Sequence, residues 1–242
     1  NTFLVGEDKQ QTLLNRDKQG RLLVELNRIS TPEVRKFLAS SPIQDEIALL
    51  SQLPLHLRSR LFKDAVNELR DLKKFLKGMG PAVSIFGSAR IHDGHPWYQL
   101  ALDVSALLSQ VYWIITGGGP GLMEAANKGV IPGGVSIGLR IELPFEQGVN
   151  AFVQVPHVFK YFFARKMAFF TSSQAFVCLP GGLGTLDELF EVASLKDRKY
   201  IKRFPIVLLG DEFYSGLRPF LREVERRRFL SKPLEDLFYF CD

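Results

Sequence analysis

Cysteine is scarce in this sequence, and its two copies form no pattern. Cys178 lies in an apolar segment and Cys241 stands apart from it, so they show neither an obvious pairing nor a metal-ligand spacing. This usage is typical of a reducing compartment and predicts a cytoplasmic protein. We also expect no metal site, because His92 and His95 form an HxxH spacing in a loop without a third ligand nearby.

Long apolar runs are also missing. The 242 residues contain no uninterrupted apolar stretch of about 18 residues and no recognisable secretory signal. With 46% hydrophobic and 24% charged residues, the composition fits one α/β domain with an additional segment. We therefore expect a soluble protein without a membrane partner.

Nucleic-acid-binding motifs are absent, although the formal net charge is +5. Basic residues cluster at positions 196–203 and 226–228, and such clusters can attract nucleic acid. No helix-turn-helix, zinc-finger or RNA-recognition pattern accompanies them, and a solvated face is the more common explanation. A basic field also suits a site for anionic nucleotides, so we expect no nucleic-acid partner.

Two glycine-rich segments are the most informative feature that is present. We call residues 117–121 (GGGPG) the GGG loop and residues 180–185 (PGGLGT) the PGG loop. Each follows an apolar run and precedes a helix-like pattern. Glycine lets backbone amides approach a ligand closely, and a helix N-terminus adds about half a positive charge, which favours phosphate. Two glycine-rich loops that each connect a strand to a helix predict one crevice at the carboxyl ends of a parallel sheet.

The PGG loop has a second interpretation. Thr185 and Glu188 have the [ST]-x-x-[DE] spacing of a capping box, in which the two side chains close the start of a helix over residues 186–195. Glycines are common in tight strand-to-helix turns for purely structural reasons. The loop by itself leaves a phosphate site and a capped turn both open.

The alternation of segments predicts the fold. Strand-like and helix-like stretches alternate over residues 79–242, which predicts right-handed crossovers and a Rossmann-like α/β domain: a mostly parallel sheet with helices on both faces. Residues 1–78 lack glycine loops and predict a helical N-terminal extension, with helices beginning near Thr31–Pro32 and Ser41–Pro42. An amphipathic helix over residues 57–77 should pack an apolar stripe on the domain or on a second subunit; the stripe is Leu61, Ala65, Leu69, Leu72 and Leu76.

A further helix is predicted over residues 158–172. Its apolar face would consist of Phe159, Phe162, Phe163, Met167 and Phe170. Arg165 falls just outside this face, as an exposed surface arginine would, whereas Lys166 falls within it. The periodicity leaves open whether Lys166 is a snorkelling side chain or a functional one.

Four motifs together resemble the LOG family over roughly residues 80–240. They are FGSAR (86–90), TGGGPGLMEAAN (116–127), FFARKMAF (162–169) and PGGLGTLDE (180–188). Members of that family are nucleoside 5′-monophosphate phosphoribohydrolases, long mislabelled as lysine decarboxylases. The resemblance implies hydrolysis of an AMP-like or cytokinin nucleotide to free base and ribose 5-phosphate, by a homodimer. We expect no cofactor, since no lysine is marked for a Schiff base with pyridoxal phosphate.

The resemblance also implies roles for individual residues. Arg165 and Glu188 would be the catalytic pair. The residues implied in phosphate and nucleotide binding are Gly87, Ser88, Gly118, Gly119, Gly121, Lys166, Gly181, Gly182, Gly184 and Thr185. A carboxylate beside the sugar suits the oxocarbenium-like transition state of N-glycosidic cleavage. The alternative is a non-catalytic module that senses a nucleotide through the same loops, with the helical N-terminus as its output surface.

Overall fold

The computed structural model describes residues 55–142, 148–200 and 204–242. The helices predicted near Thr31–Pro32 and Ser41–Pro42 lie outside these ranges. The chain divides into two compact units, Asn1–Asp64 and Ala65–Asp242. The second unit contains the sheet and the candidate site.

The sheet of this unit has seven strands, and all neighbouring strands are parallel. Its order is β4-β3-β2-β1-β5-β6-β7. The chain therefore runs outward from β1 to β4, and then returns to add β5 on the other side of β1. The strands are β1 (Ala82–Phe86), β2 (Trp113–Thr116), β3 (Ser136–Ile141), β4 (Val155–Phe159), β5 (Ser173–Cys178), β6 (Ile206–Leu209) and β7 (Tyr239–Cys241).

Helices cover both faces of the sheet. The described helices are α1 (Leu55–Leu76), α2 (Pro96–Leu108), α3 (Leu122–Lys128), α4 (Phe162–Ser172), α5 (Leu183–Asp197), α6 (Asp211–Tyr214), α7 (Leu217–Arg226) and α8 (Leu234–Leu237). Alternate residues of a strand point to opposite faces. Accordingly, Val83 and Ile85 pack with α2 and α3, while Ala82 and Phe86 belong to the core on the side of α4 and α5. The prediction of a Rossmann-like parallel sheet is confirmed.

The predicted start of α4 was wrong, because residues 155–159 form β4 instead. In this strand Val155, His157 and Phe159 are more buried than the residues between them, which is the period of a strand. The strand pairs with β3, where Ile141 is opposite Phe159. The helix begins only at Phe162.

The predicted apolar face of α4 was wrong for three of its five residues, whereas Phe159 and Phe170 are buried. Phe162, Phe163 and Met167 are 53%, 46% and 45% exposed. The buried residues are Ala164, Ala168, Phe169 and Phe170. The two alanines lie four positions apart and therefore on one side of the helix, and their small side chains let the helix approach the sheet closely.

Helix α1 packs its last turns on the α/β body, as the amphipathic pattern predicts. Leu72 is buried, and Phe75 and Leu76 pack against the same core cluster. Leu69 is exposed, and the side chains of Leu61 and Ala65 fall outside the description. In the described part of the chain, no helix is both long and apolar enough to cross a membrane.

Candidate active site

A cleft of roughly 950 Å³ opens where β1, β2, β3 and β5 end. This volume is typical of small-molecule sites. The cleft lies at the point where the chain reverses its direction of strand addition, which is the usual ligand site of such sheets. Both glycine loops line it. The lining residues are Phe86, Gly87, Ser88, Ala89, Arg90, Gly117, Gly118, Gly119, Pro120, Met123, Arg140, Ile141, Gly148, Phe162, Arg165, Gly182, Leu183, Gly184, Thr185 and Glu188.

The PGG loop leads into α5, and the start of this helix excludes the capping box. The N-cap is Gly182, which has no side chain, so Thr185 is already the third helical residue. The first intrahelical bond runs from the Leu186 N–H to the Gly182 carbonyl, at 3.0 Å. The amides of residues 183–185 precede that bond and have no partner within the helix. These residues line the cleft, so the helix N-terminus offers a site for an anion.

The three glycines of the PGG loop differ in their surroundings. A Cβ added at Gly182 or Gly184 would meet no atom within 4 Å, which leaves the space above the loop open to a ligand. A Cβ added at Gly181 would lie only 2.2 Å from Thr185 Oγ1. Gly181 is therefore needed for Thr185 to fold back over the loop, whereas Gly182 and Gly184 face the cleft.

Hydrogen bonds from Thr116 and Asn150 hold the GGG loop in place. Thr116 Oγ1 donates to Asn127 Oδ1 at 2.7 Å and accepts the Gly118 N–H at 2.9 Å. Asn150 donates its side-chain amide to the Gly119 carbonyl at 2.9 Å, and its own N–H to the Gly118 carbonyl at 2.9 Å. Gly118 has φ +71°, a conformation that favours glycine. Gly118 and Gly119 line the cleft on this fixed backbone.

The FGSAR segment joins the two loops. Ser88 donates its N–H to the Pro180 carbonyl at 3.0 Å and accepts the Leu122 N–H at 2.9 Å. Gly121 does not line the cleft but packs against the backbone of this segment, where an added Cβ would lie only 2.4 Å from the Ser88 carbonyl oxygen. Gly87 and Ser88 line the cleft themselves, so this segment connects the α3 side of the site to the α5 side.

Arg165 extends from α4 into the cleft. Its Nε donates to the Leu139 carbonyl at 2.8 Å, and its guanidinium lies 5.3 Å from the centre of the Phe169 ring. Only 15% of the side chain is exposed, so the interpretation as a surface arginine was wrong. A Cβ added at Gly117 would lie 2.6 Å from Arg165 Nη2. The first glycine of the GGG loop thus leaves room for the guanidinium.

Glu188 faces Arg165 from α5. The residue is 8% exposed, and its Oε1 lies 3.9 Å from Arg165 Nη1. This distance is too long for a hydrogen bond but short enough for strong electrostatic attraction. Burial raises the pKa of the Glu188 carboxyl, and the positive charge of Arg165 acts against that rise. A buried carboxylate with a raised pKa in a cleft is a typical property of catalytic acids and bases.

Lys166 lies next to Arg165 in the chain but has other partners. Its Nζ is 2.8 Å from Asp187 Oδ2 and 2.5 Å from Glu191 Oε2. It joins α4 to α5 and is not among the residues that line the cleft. The binding role implied for Lys166 stays a prediction without a geometric counterpart.

Sequence reasoning missed several lining residues. Arg140 lies near the carboxyl end of β3, after the apolar residues of that strand. A charged residue at the carboxyl end of a parallel strand was the sequence signal that could have identified it. Arg90 and Met123 lie inside the family motifs but were given no role.

The HxxH spacing serves a structural purpose at His95. This residue caps α2 by accepting the Trp97 N–H on Nδ1 at 3.1 Å. Across the described ranges, no group of three or more His, Cys, Asp or Glu side chains could hold a metal ion.

Known proteins resemble this chain in sequence. Residues 123–242 match a family model described as possible lysine decarboxylase. A cytokinin riboside 5′-monophosphate phosphoribohydrolase from Rhodococcoides fascians is 30% identical over 166 residues, which cover 66% of this chain and 83% of that protein. A probable cytokinin riboside 5′-monophosphate phosphoribohydrolase from Oryza sativa subsp. japonica is 39% identical over 70 residues, only 28% of either chain.

Solved structures resemble it more distantly. The molybdenum cofactor binding protein from Rippkaea orientalis is 21% identical, covers 68% of this chain and 91% of that chain, and superposes with a TM-score of 0.49.

Proposed function

This chain belongs to the LOG family, and on that premise we propose that it hydrolyses the N-glycosidic bond of a nucleoside 5′-monophosphate. The products would be the free base and ribose 5-phosphate. The observation that carries the proposal is the pairing of Arg165 with Glu188, 3.9 Å apart, in the same cleft as the N-terminus of α5. An anion site and a buried carboxylate are the two groups that this reaction needs.

Each part of the site has a task in this reaction. The 5′-phosphate binds the amides of residues 183–185 and the Thr185 hydroxyl, because a helix N-terminus favours a dianion. Arg165 adds a fixed positive charge suited to a phosphate oxygen. Gly118 and Gly119 form the opposite wall, where the ribose and the base lie. The sugar is then held between the loops, beside Glu188.

The chemical step breaks the bond between C1′ and the base nitrogen. The base leaves with the bonding electron pair, positive charge develops on the sugar ring, and water adds at C1′. The Glu188 carboxylate stabilises that positive charge and orients the water. The water gives up a proton, and the departing base takes one up at its nitrogen.

The 5′-phosphate should be required for turnover. We expect adenosine to be hydrolysed at least about a hundredfold more slowly than AMP in kcat/KM, because the charge-assisted hydrogen bonds at the α5 N-terminus form only with a phosphate. The measurement is base release from AMP, GMP, CMP, UMP and adenosine under one set of conditions. Equal rates on AMP and adenosine would refute the phosphate assignment. Binding of nucleotides without release of base from any of them would favour the sensing module.

A homodimer is the assembly that we propose for this enzyme. Phe162, Phe163 and Met167 on α4 are exposed, as are Leu183 and Phe190 on α5, and Lys166 joins the two helices. Exposed apolar residues concentrated on adjoining helices indicate an interaction surface. Since Phe162 and Leu183 also line the cleft, the interface would border the active site.

Light scattering at micromolar concentration should therefore give the mass of a dimer. Phe163→Asp should shift the protein toward the monomer, because it places a charge in the apolar interface. Phe220→Asp is the matched control, since Phe220 is an exposed phenylalanine of α7 that should leave the mass unchanged. A wild-type monomer with full activity would contradict the proposal.

A further inference from the structure

The start of α4 is capped by a residue from a distant part of the chain. Its N-cap, Tyr161, provides no side-chain cap. Instead, the Glu68 carboxylate of α1 accepts two backbone N–H groups: that of Lys160 on Oε1 at 2.6 Å and that of Tyr161 on Oε2 at 3.1 Å. These contacts span 92 and 93 residues of sequence. A carboxylate in this position forms charge-assisted hydrogen bonds and interacts favourably with the helix dipole.

One residue, Tyr161, connects this cap to the arginine in the cleft. The Tyr161 N–H is bound by Glu68, and the Tyr161 carbonyl accepts the Arg165 N–H at 3.2 Å. The Ala164 N–H donates to the same carbonyl at 3.1 Å. Glu68 therefore fixes the residue on which the first turn of α4 is built, and Arg165 is the residue that closes this turn.

Helix α1 is itself held firmly beside α4. Leu72, one turn beyond Glu68, is buried. The Phe75 ring lies 4.6 Å from the His157 ring, which lies 4.5 Å from the Phe159 ring. These residues pack α1 on β4, the strand that leads directly into α4. The Glu68 carboxylate therefore extends from a helix whose following turns are packed on the core.

We propose that Glu68 is a positioning residue for Arg165, through which α1 sets the geometry of the active site. The proposal rests on the proposed function, because it assumes that Arg165 acts on the nucleotide. If the cap is lost, the first turn of α4 frays and Arg165 shifts relative to Glu188. A displacement of about 1 Å in a catalytic arrangement can cost on the order of a hundredfold in rate. Glu68 does not line the cleft and acts through the backbone of Lys160 and Tyr161.

Two variants of the full chain test this role. Glu68→Ala removes both acceptors. Glu68→Gln keeps one acceptor oxygen but directs an NH2 group at the other backbone N–H, and it removes the charge. The matched control is Asp71→Asn on the same helix, whose carboxylate pairs with Lys74 in solvent at 2.9 Å. The thermal midpoint of each protein is measured first. Turnover, KM for AMP and amide hydrogen exchange are then measured well below that temperature.

We expect both Glu68 variants to lower kcat by about tenfold or more, with Glu68→Ala the more affected. Amide exchange should accelerate at residues 160–165 and stay unchanged in β1 and β5. Asp71→Asn should match the wild type both in kcat and in amide exchange at residues 160–165. In an Arg165→Ala background, Glu68→Ala should have little further effect on kcat, because the residue that it positions is already gone.

Other outcomes would overturn the inference. If the Glu68 variants lose thermal stability but keep the wild-type kcat, Glu68 is only a structural tether. If the wild type itself releases no base from any nucleotide, the proposed function fails, and hydrogen exchange then decides the role of Glu68: unchanged exchange at residues 160–165 in Glu68→Ala refutes the cap. Should Glu68→Ala not fold, Glu68→Gln provides the same comparison.

Discussion

Glu188→Gln should lower turnover by on the order of a hundredfold or more while the protein remains folded. Glutamine has nearly the shape of glutamate but carries no charge, so the variant removes the carboxylate that stabilises the sugar cation and orients water. Because the structure places the N-cap of α5 at Gly182, the substitution removes no cap. Nucleotide affinity should persist or increase, since one negative charge near the phosphate is lost. Steady-state kinetics and nucleotide titration measure both effects.

The stability of the wild type should also depend on pH through Glu188, and the variant should lack this dependence. Burial raises the pKa of Glu188 above its ordinary value of 4.5, so between the unfolded and folded pKa values the native state binds more protons than the unfolded state. The free energy of unfolding therefore falls as pH rises through that window, and the loss persists at neutral pH. Glu188→Gln removes this loss, and its thermal midpoint at pH 7 should equal or exceed that of the wild type. Turnover of the wild type requires the ionised Glu188 carboxylate. As the pH is lowered, turnover should therefore fall with a midpoint above pH 4.5 (the acid limb of the profile), because the pKa of Glu188 is raised.

Glu191→Gln is the control for this prediction. Glu191 lies one turn further along α5, where it pairs with Lys166, and it does not line the cleft. It should keep wild-type turnover. A fully active Glu188→Gln enzyme would end the assignment of Glu188 as a catalytic residue.

Arg165→Ala should weaken nucleotide binding and turnover together. A charge-assisted hydrogen bond contributes about 1.5–3 kcal/mol, so losing the guanidinium should cost roughly tenfold to a hundredfold in affinity and more in kcat/KM. The positive charge of Arg165 also lowers the pKa of Glu188, and without it the acid limb should move to higher pH. Titration with AMP and a pH profile of kcat/KM check both expectations.

Lys166→Ala is the matched control for Arg165→Ala, because it removes a neighbouring positive charge whose partners are Asp187 and Glu191. Lys166→Ala should lower the thermal midpoint and leave the affinity for AMP nearly unchanged, since it removes the ion pairs that join α4 to α5. Unchanged AMP affinity in Arg165→Ala, or an equal loss of affinity in both variants, would contradict the assignment of Arg165.

The sequence by itself determined the parallel sheet and the two glycine loops at its carboxyl edge. Both depend on local patterns: apolar strands alternate with helices, and glycines follow the strands at the GGG loop and the PGG loop. Parallel strands need crossovers, and crossovers bring successive strand ends to one edge. The family motifs singled out Arg165 and Glu188 by their place in a pattern, but they gave no distance between the two side chains.

Only the tertiary structure decided which side of α4 is buried and what fixes its start. Residues 155–159 become a strand because β3 offers them a hydrogen-bonding edge. Helix α4 then buries Ala164, Ala168, Phe169 and Phe170, while Phe162, Phe163 and Met167 stay exposed. Arg165 is largely buried, and the Leu139 carbonyl, which accepts its Nε–H, compensates for the loss of solvent there. Asn150 and Glu68 reach their partners across many residues of sequence. Such contacts form between segments that only the folded chain brings together, so periodicity and propensity, which describe neighbouring residues, carry no signal for them.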